Sequence, residues 1–511
     1  MADQQQQESA KKLYEKLSKE REPYIKRAEK CAEVTIPALF PKESDGATTD
    51  FKTPYQSLGA RGVNALAAKL MLALLPPNAP FFRLNPESKI EEELKNHETL
   101  NAKIQSVLRT KEKRVMDEVD GSQIRVTLAE ALKQLVVAGN GLLYLPPDRK
   151  GIKLYRLPSY VLQRDPLGNI LQIITLEKIA YSALPKDLQS TAAEGQDIKP
   201  ETVVEVYTRT YLEEDQYYSY QEINEKKLAV GENTYPKDLL PWIAPRLVKV
   251  DGESYGRSYV EEYLGDLLTF EKLTKAIGEV ASIAATAIYL VNPAGMTRIS
   301  KVVKTENGGF APGRRADIEA LQLDKFADMQ FAMNAQANIE ARLQYVFLLN
   351  SAVQRQGERV TAEEIRYVAG ELEDTLGGIY SILSQELQLP LARILIDRLQ
   401  QSKEIDIPGD LNPQIVTGIE ALGRGVDLRK LEYYVSFAIQ VTQAAQAGIK
   451  RGGCLALAAD SLGLDKTLLV MSDEEIQAMM MAQQQQMQEQ QMQGQVQQEA
   501  ASAVIKSATE Q

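Results

Sequence analysis

Gly252-Glu253-Ser254-Tyr255-Gly256 matches the G-x-S-x-G pattern that sets a nucleophilic serine on a sharp turn. A hydrolase of that kind needs a histidine base within reach of the serine and a carboxylate behind it. The chain has one histidine, His97, inside a polar, charged stretch. The same five residues also read as the turn that opens a long helix. Ser254 or Ser258 would then be its N-cap, with Glu261 and Glu262 in the first turn, where acids suit the helix dipole. No G-x-x-x-x-G-K-[ST] loop occurs, which excludes a Walker-type phosphate cradle. Gly139-Asn140-Gly141 lacks a third glycine and a βαβ setting, so it reads as a turn.

Two cysteines, Cys31 and Cys454, with a single histidine exclude most zinc sites, disulfide frameworks and cysteine redox chemistry. The acidic residues Glu371, Glu373 and Asp374, with Glu363 and Glu364 upstream, have the composition of a metal site but read as a solvated helix face. No metal and no cofactor is expected. Arg355 and Arg359 stand on a short connector between long helical stretches. They either pair with Glu358, Glu363 or Glu364, or project into a lumen and touch a polyanion. A second concentration of positive charge is Arg298, Lys301, Lys304, Arg314 and Arg315, offset by Glu306 alone, for a local net charge of +4.

The elements that position these residues follow from composition and pattern. The chain has 511 residues with a net charge of −11 and a pI near 5.1. Its 44% hydrophobic and 25% charged residues are the balance of a soluble globular chain. The length corresponds to about three folding units. An acidic chain does not bind DNA tightly without regard to sequence, because that requires cations on phosphates. The polar N-terminus, MADQQQQESAKK, predicts no secretory signal. The longest apolar runs fall far short of the ~20 residues of a membrane span, so an intracellular protein with no membrane partner is expected.

Residues 8–30 read as a solvated or weakly packed helix, with eight basic and four acidic side chains between Lys11 and Lys30. Helical spacing recurs over Ser57–Leu75, Ile90–Val119 and Val126–Ala138. Short β-branched and aromatic segments follow: Leu142–Leu145, Ile152–Arg156, Ile170–Leu176, Val203–Tyr211, Tyr217–Ile223 and Ile243–Val250. They predict an antiparallel β region. Thirteen of the 22 tyrosines lie between Tyr144 and Tyr263, as on a half-buried sheet surface. Long helices are then predicted from Val260 to Ala287 as one continuous stripe, from Asp328 to Leu349, and from Thr361 to Gln401. The last should bend or break at Gly377-Gly378 and Pro390. Shorter helical pieces follow at Gln414–Leu422, Leu428–Gly448 and Leu455–Leu462. Of the residues Gln477–Gln498, twelve are Gln and five Met, a composition that cannot close a core.

Several segments resemble the portal, or head-to-tail connector, proteins of short-tailed podoviruses of the autographivirus type. They include Thr35-Ile-Pro-Ala-Leu-Phe-Pro-Lys42, Thr53-Pro-Tyr-Gln-Ser-Leu-Gly-Ala-Arg-Gly62 through Leu74, Glu130-Ala-Leu-Lys-Gln-Leu-Val-Val-Ala-Gly-Asn140 and Tyr155-Arg-Leu-Pro-Ser-Tyr-Val-Leu-Gln-Arg-Asp165. The most specific are Asp251-Gly-Glu-Ser-Tyr-Gly-Arg-Ser258 with Glu261-Glu-Tyr-Leu-Gly-Asp266, and Leu349-Asn-Ser-Ala-Val-Gln-Arg355 through Gln385-Glu-Leu-Gln-Leu-Pro390. The similarity covers residues from about 10 to 470 in the same order. The Gln/Met tail does not resemble the family.

The resemblance implies an α+β, predominantly helical portal fold assembled as a ring, normally dodecameric, around an axial channel. Residues 1–255 would be the wing, 256–288 and 326–349 the paired stem helices, and 289–325 the clip. Residues 350–360 would be a channel loop, 361–402 the long bent helix, 403–472 the crown and 473–511 the tail. In such a ring Gln354, Arg355, Gln356 and Arg359 would face the channel. The clip cations would meet the tail adaptor, the packaging motor or DNA. The implied partners are further copies of the chain, double-stranded DNA held weakly, the tail adaptor, the terminase large subunit, the major capsid protein, and scaffolding and internal core proteins. The implied location is the portal vertex of the virion, and the host cytoplasm during assembly. On this reading the protein is no enzyme. The alternatives are another virion ring protein such as a tail adaptor, a serine hydrolase using Ser254, and a soluble scaffold or regulatory protein.

Overall fold

A computed structural model describes residues 8–42, 45, 48–77, 80–85, 98–147, 151–193, 199–228, 232–285, 288–306, 309–321, 326–349, 370, 375–376, 378–402, 414–417 and 435–437. Contacts divide the chain into two units, Met1–Leu422 and Gly423–Gln511. Of the second, only a helical turn at 435–437 is described.

Helix α1 (Ala10–Glu33) starts at Ser9, whose hydroxyl accepts the Lys12 N–H. The Glu222 carboxylate accepts the N–H groups of Ala10 and Lys11 at 2.7 and 3.1 Å, so a distant strand completes the cap. The expectation of a solvated or weakly packed helix is corrected here. Leu13, Leu17, Ala28 and Cys31 are buried, and so is Arg21. The Arg21 Nη1 donates to the Leu157 and Pro158 carbonyls at 3.2 and 3.0 Å, and to Tyr160 O. Those bonds replace the water a buried guanidinium gives up.

Helix α2 (Leu58–Leu74) stops ahead of Pro76-Pro77, as predicted. Strand β1 (Phe82–Asn85) and helices α3 (Glu98–Gly121) and α4 (Ile124–Ala138) follow. Helix α4 ends at Gly139, whose φ of 73° is the left-handed cap that glycine adopts without strain. The β region is antiparallel. Strands β2 (Leu142–Tyr144) and β3 (Lys153–Tyr155) pair with each other. Strands β4 (Tyr160–Arg164), β5 (Ile170–Ala180), β6 (Val203–Glu213) and β7 (Gln216–Ile223) form a meander in that order. Strands β8 (Lys226–Lys227) and β9 (Asn233–Pro236) both pair with β7. Strand β10 (Trp242–Ile243) returns to β2. The predicted strand to Val250 stops at Ile243 because Pro245 has no N–H for a ladder; beyond it only isolated bridges remain, Asn140 to Arg246 and Val248 to Arg257.

Helix α5 (Tyr259–Glu262) is separated by Tyr263 from α6 (Leu264–Ala285), so the single helix expected from Val260 is in two pieces. Strand β11 (Ile288–Val291), helix α7 (Ile299–Val302), strand β12 (Ile318–Leu321) and helix α8 (Phe326–Val346) come next. Gly378, with φ of 90°, opens helix α9 (Ile379–Leu383), and a π turn at Ser384–Gln388 leads into α10 (Leu389–Gln401). The break foreseen at Gly377-Gly378 and Pro390 is therefore present at Gly378. At Pro390 the helix is not interrupted: the backbone stays helical from the π turn into α10, and that π turn directly precedes the residue that cannot donate an N–H.

Residues Gln414–Thr417 form a strand, β13, paired antiparallel with β1, and not the predicted helix. Ile415, Val416 and Thr417 are all β-branched, and β1 offers them an edge. One hydrophobic core gathers residues from Ala28 to Leu399, drawing on helices α1 to α4, the β2–β3 sheet and α10.

Candidate channel and docking surfaces

Helices α6 and α8 lie antiparallel. Asp266 meets Arg342 at 3.0 Å, and the Gln336 amide donates to the Thr274 hydroxyl at 2.9 Å. Beyond the pair, β11 and β12 are antiparallel partners, with Ile288 opposite Leu321 and Val291 opposite Ile318. Leu267, Phe270, Ile339, Leu343 and Phe347 are buried at one end of the pair. That end is held hard against the body. A Cβ on Gly62 of α2 would stand 2.5 Å from Phe347 Cγ, so only glycine allows this approach. Lys69, the cation that interrupts the apolar run of α2, donates to the Leu348 carbonyl at 2.9 Å, and Tyr259 to that of Val346 at 3.0 Å. Both serve carbonyls at the C-terminal end of α8.

Burial then fades along the pair. Leu268 on α6 and Met333 on α8 are 41% and 49% exposed, Ile283 and Phe331 52% and 77%. Of the stripe predicted from Val260, Val260, Leu267 and Phe270 are buried, and Leu264, Leu273, Ile277 and Val280 are half-buried.

The excursion between β11 and β12 is organised by Asp317. Its buried carboxylate accepts the Thr297 N–H at 3.1 Å and the Thr297 hydroxyl at 2.7 Å. The Thr297 oxygen in turn accepts the Arg314 N–H at 2.8 Å. The bonds from Thr297 hold the Asp317 carboxyl below the usual range. Gly295 and Gly313 close the knot: a Cβ on either would fall 2.7 Å from Asp317 Cγ or 2.6 Å from Thr297 Cγ2. The five cations predicted here, Arg298, Lys301, Lys304, Arg314 and Arg315, are all exposed on this one excursion. Among the described residues none of them forms an ion pair.

The turn at 251–258 has a structural occupation. Ser258, not Ser254, is the N-cap, accepting the Glu261 N–H at 3.0 Å. The Ser254 hydroxyl accepts the Arg164 N–H at 3.4 Å, and the Ser254 carbonyl accepts Arg164 Nε at 3.1 Å. A guanidinium cannot act as the base a serine nucleophile needs. Burial, and then the Arg246 charge, pull the Arg164 guanidinium down to about 10. Arg246 is buried and meets Glu386 of the π turn through its backbone N–H and its guanidinium. Asn140 spans the same junction: its amide donates to Gly256 O at 2.8 Å and accepts Gly256 N–H at 2.7 Å.

His97, the acids Glu363, Glu364, Glu371, Glu373 and Asp374, and the proposed channel residues Gln354, Arg355, Gln356 and Arg359 lie outside the described residues. So do Cys454 and the Gln/Met tail. Among the described residues no three His, Cys, Asp or Glu side chains come together to hold a metal, and no helix is long and apolar enough to cross a membrane.

Residues 7–469 match the family model described as "Bacteriophage head to tail connecting protein". The chain belongs to this family. The connector is 48% identical over 484 residues to the portal protein of Enterobacteria phage T3, covering 93% of this chain and 90% of that protein. It is 48% identical over 493 residues to the portal protein of Escherichia phage T7, with 93% and 91% covered. With that of Enterobacteria phage SP6 it shares 30% over 478 residues, 92% of each. Membership makes the connector a structural component of the virion at the junction of head and tail. A solved structure titled "Neck of empty GTA particle computed with C6 symmetry" aligns over 80% of the connector and 90% of its own chain at 11% identity and a TM-score of 0.38, too loosely to carry an argument.

The structure places the five predicted cations on the excursion between β11 and β12, and gives Ser254 and Ser258 separate roles in the turn at 251–258. Sequence reasoning missed the Arg246–Glu386 clamp and the Asn140 hook, whose partners are far apart in the chain. It also missed the exposed apolar residues interleaved in sequence with those cations. Met296, Ile299, Val303 and Phe310 in a segment so rich in Gly and Pro were the available signal.

Proposed function

We propose that the connector is the portal of a tailed phage: a ring, dodecameric as in the family it resembles, around the channel through which DNA enters and leaves the head. The observation that carries this reading is the half-uncovered helix pair α6–α8. Leu268, Ile283, Phe331, Met333 and Tyr345 expose apolar surface on opposite helices of one hairpin, which neighbouring copies in a ring would cover. Two different faces of one chain meeting each other form a head-to-tail contact, and such contacts close into rings.

On this reading the wing is 1–255, the stem 256–288 with 326–349, the clip 289–325, the channel loop 350–360, the long bent helix 361–402, the crown 403–472 and the tail 473–511. Gln354, Arg355, Gln356 and Arg359 face the lumen, where each is repeated by every subunit and weak phosphate contacts sum around the ring. The net charge of −11 per copy keeps DNA from adhering, so the duplex slides. The energy of packaging comes from the terminase. The clip meets the motor and later the tail adaptor, and the outer surface meets the capsid, scaffolding and core proteins.

Negative-stain microscopy tests the ring directly: compact monomers at high concentration would sink the reading. Arg355→Ala with Arg359→Ala should leave rings intact and lower the yield of filled heads in an in vitro packaging reaction. A normal yield refutes the role of those two arginines.

A further inference from the structure

Arg21 is a buried cation without a counter-charge in its own chain. It is 6% exposed, and its hydrogen bonds all leave from Nη1, to the Tyr14 hydroxyl and the carbonyls of Leu157, Pro158 and Tyr160. Nε is buried without a partner, and no bond leaves from Nη2. Among the described residues no carboxylate forms an ion pair with this guanidinium. A charge taken out of water is ordinarily paired, because carbonyl dipoles offset only part of its lost hydration. The unspent donors share one edge of the planar group, the geometry in which arginine takes a carboxylate.

Arg21 lines a groove of about 840 Å³ between α1 and the strands β5 and β6, with Tyr14, Phe40 and Tyr207. Arg156 and Lys178 stand exposed on its rim. Acids line it too, of which Glu22 meets Lys26 at 2.9 Å and Glu205 accepts the Tyr207 hydroxyl at 3.0 Å. Six cations against five acids leave the lining at +1. Those acids repel a polyanion, whereas a single carboxylate balances the charge.

An unmatched carboxylate stands at the far end of the same sheet. Strand β6 starts beside the groove, where Glu205 and Tyr207 line it, and ends at Glu213, ~27 Å further on at ~3.4 Å per residue. The turn Glu214-Asp215 then leads into β7, so three consecutive acids stand exposed on a hairpin tip. Glu214 has φ of 54°, a left-handed conformation for which such turns select glycine or asparagine. Asp215 lies 3.8 Å from Lys237, while Glu214 has no partner among the described residues. Because β6 is paired on both sides, the tip cannot reach the groove of its own chain.

Complementary groups at opposite ends of one rigid element are what a head-to-tail contact joins. We propose that Glu214 of each copy enters the groove of the next and pairs with Arg21 through Nη2, the cations of the rim drawing the acidic tip in. The groove is complete only with the neighbour's carboxylate. This contact rests on the ring reading and is separate from the apolar one along α6 and α8.

The test uses the full-length chain and changes the exposed partner, since Arg21 also holds three carbonyls of the fold. Glu214→Lys should raise the concentration at which rings half-assemble in sedimentation velocity by at least about 10-fold, as loss of one partner of a desolvated charge pair does. Glu214→Gly should assemble as poorly, although glycine suits that turn better and should raise the melting temperature. Asp215→Cys with Ser159→Cys, the latter in the groove, should give covalent ladders on oxidation that neither single variant gives. Wild-type rings whose half-assembly Glu214→Lys leaves unchanged overturn the contact and leave the portal reading standing, and so do double-cysteine rings that form no ladder. A Glu214→Gln chain that assembles normally while sodium acetate raises its melting temperature assigns the groove to a free carboxylate, and the contact falls. Wild-type chains that stay monomeric at high concentration refute the portal reading and the contact with it.

Discussion

Asn140→Ala tests whether the junction ahead of α5 and α6 is held by one side chain. Asn140 is 2% exposed and donates to Ala138 O at 3.0 Å and Gly256 O at 2.8 Å, while its own oxygen accepts Gly256 N–H at 2.7 Å. Gly256 is buried, so the substitution strands one backbone donor and one acceptor, each worth about 1–3 kcal/mol. The expected loss is about 4 kcal/mol. For the unit Met1–Leu422, with an unfolding entropy of about 2.1 cal/mol/K per residue, this corresponds to a fall in melting temperature of about 4 °C. Asn140→Asp supplies a second signature. It keeps an acceptor for Gly256 N–H but turns a carboxylate toward the Gly256 carbonyl. Burial raises the pKa of such a group, so the variant should gain stability as the pH falls through that raised value. Urea titrations and thermal melts at several pH values measure both. Stability of Asn140→Ala within about 0.5 kcal/mol of the parent would refute the reasoning, and so would an Asn140→Asp profile parallel to that of the wild type.

Glu386→Gln should cost about 2–4 kcal/mol, because it leaves the guanidinium of Arg246, 3% exposed, without its counter-charge and beside Arg164; the figure for a buried pair is reduced since Glu386 is 20% exposed. A double-mutant cycle with Arg246→Met measures this, and additive losses would rule the clamp out. Between β11 and β12, the Asp317 carboxyl is held below its unfolded value of about 3.9, so its contribution is present above pH 4 and lost as pH falls through the lower folded value. Hydrogen-exchange protection of the Thr297 and Arg314 amides, corrected for intrinsic rates, should fall over that window. In Asp317→Asn it should be low and flat with pH.

Much of this fold was legible because it is periodic. The helices α2, α4, α6 and α8 and the strands β5 to β7 announce themselves through repeats of 3.6 and 2 residues, and Gly139 and Gly378 end or open helices where only glycine is comfortable. Long-range polar contacts were not legible. The charge run of α1 looked wet because nothing in it names Glu222 as its cap or three carbonyls near residue 158 as the partners of Arg21. The β-branched residues Ile415, Val416 and Thr417 were too few to outweigh a helical context until β1 supplied an edge. At the candidate surfaces the cations were readable from composition. The exposure of Phe310 was not, since sequence gives an apolar residue no way to show that nothing covers it.

The pairing of β1 with β13 has a consequence for synthesis. Strand β1 leaves the ribosome more than three hundred residues before Gln414–Thr417, its partner, and α2 likewise waits for Phe347 and for Tyr380, whose hydroxyl donates to Ala73 O. At about 5–20 residues per second the interval for β1 is roughly 15–65 seconds. Throughout it the nascent chain carries Phe82 and Leu84 on a strand with no partner, at the start of a core that cannot yet close. Each chain therefore completes its fold only after Gln414–Thr417 has been made, and until then β1 presents an exposed edge.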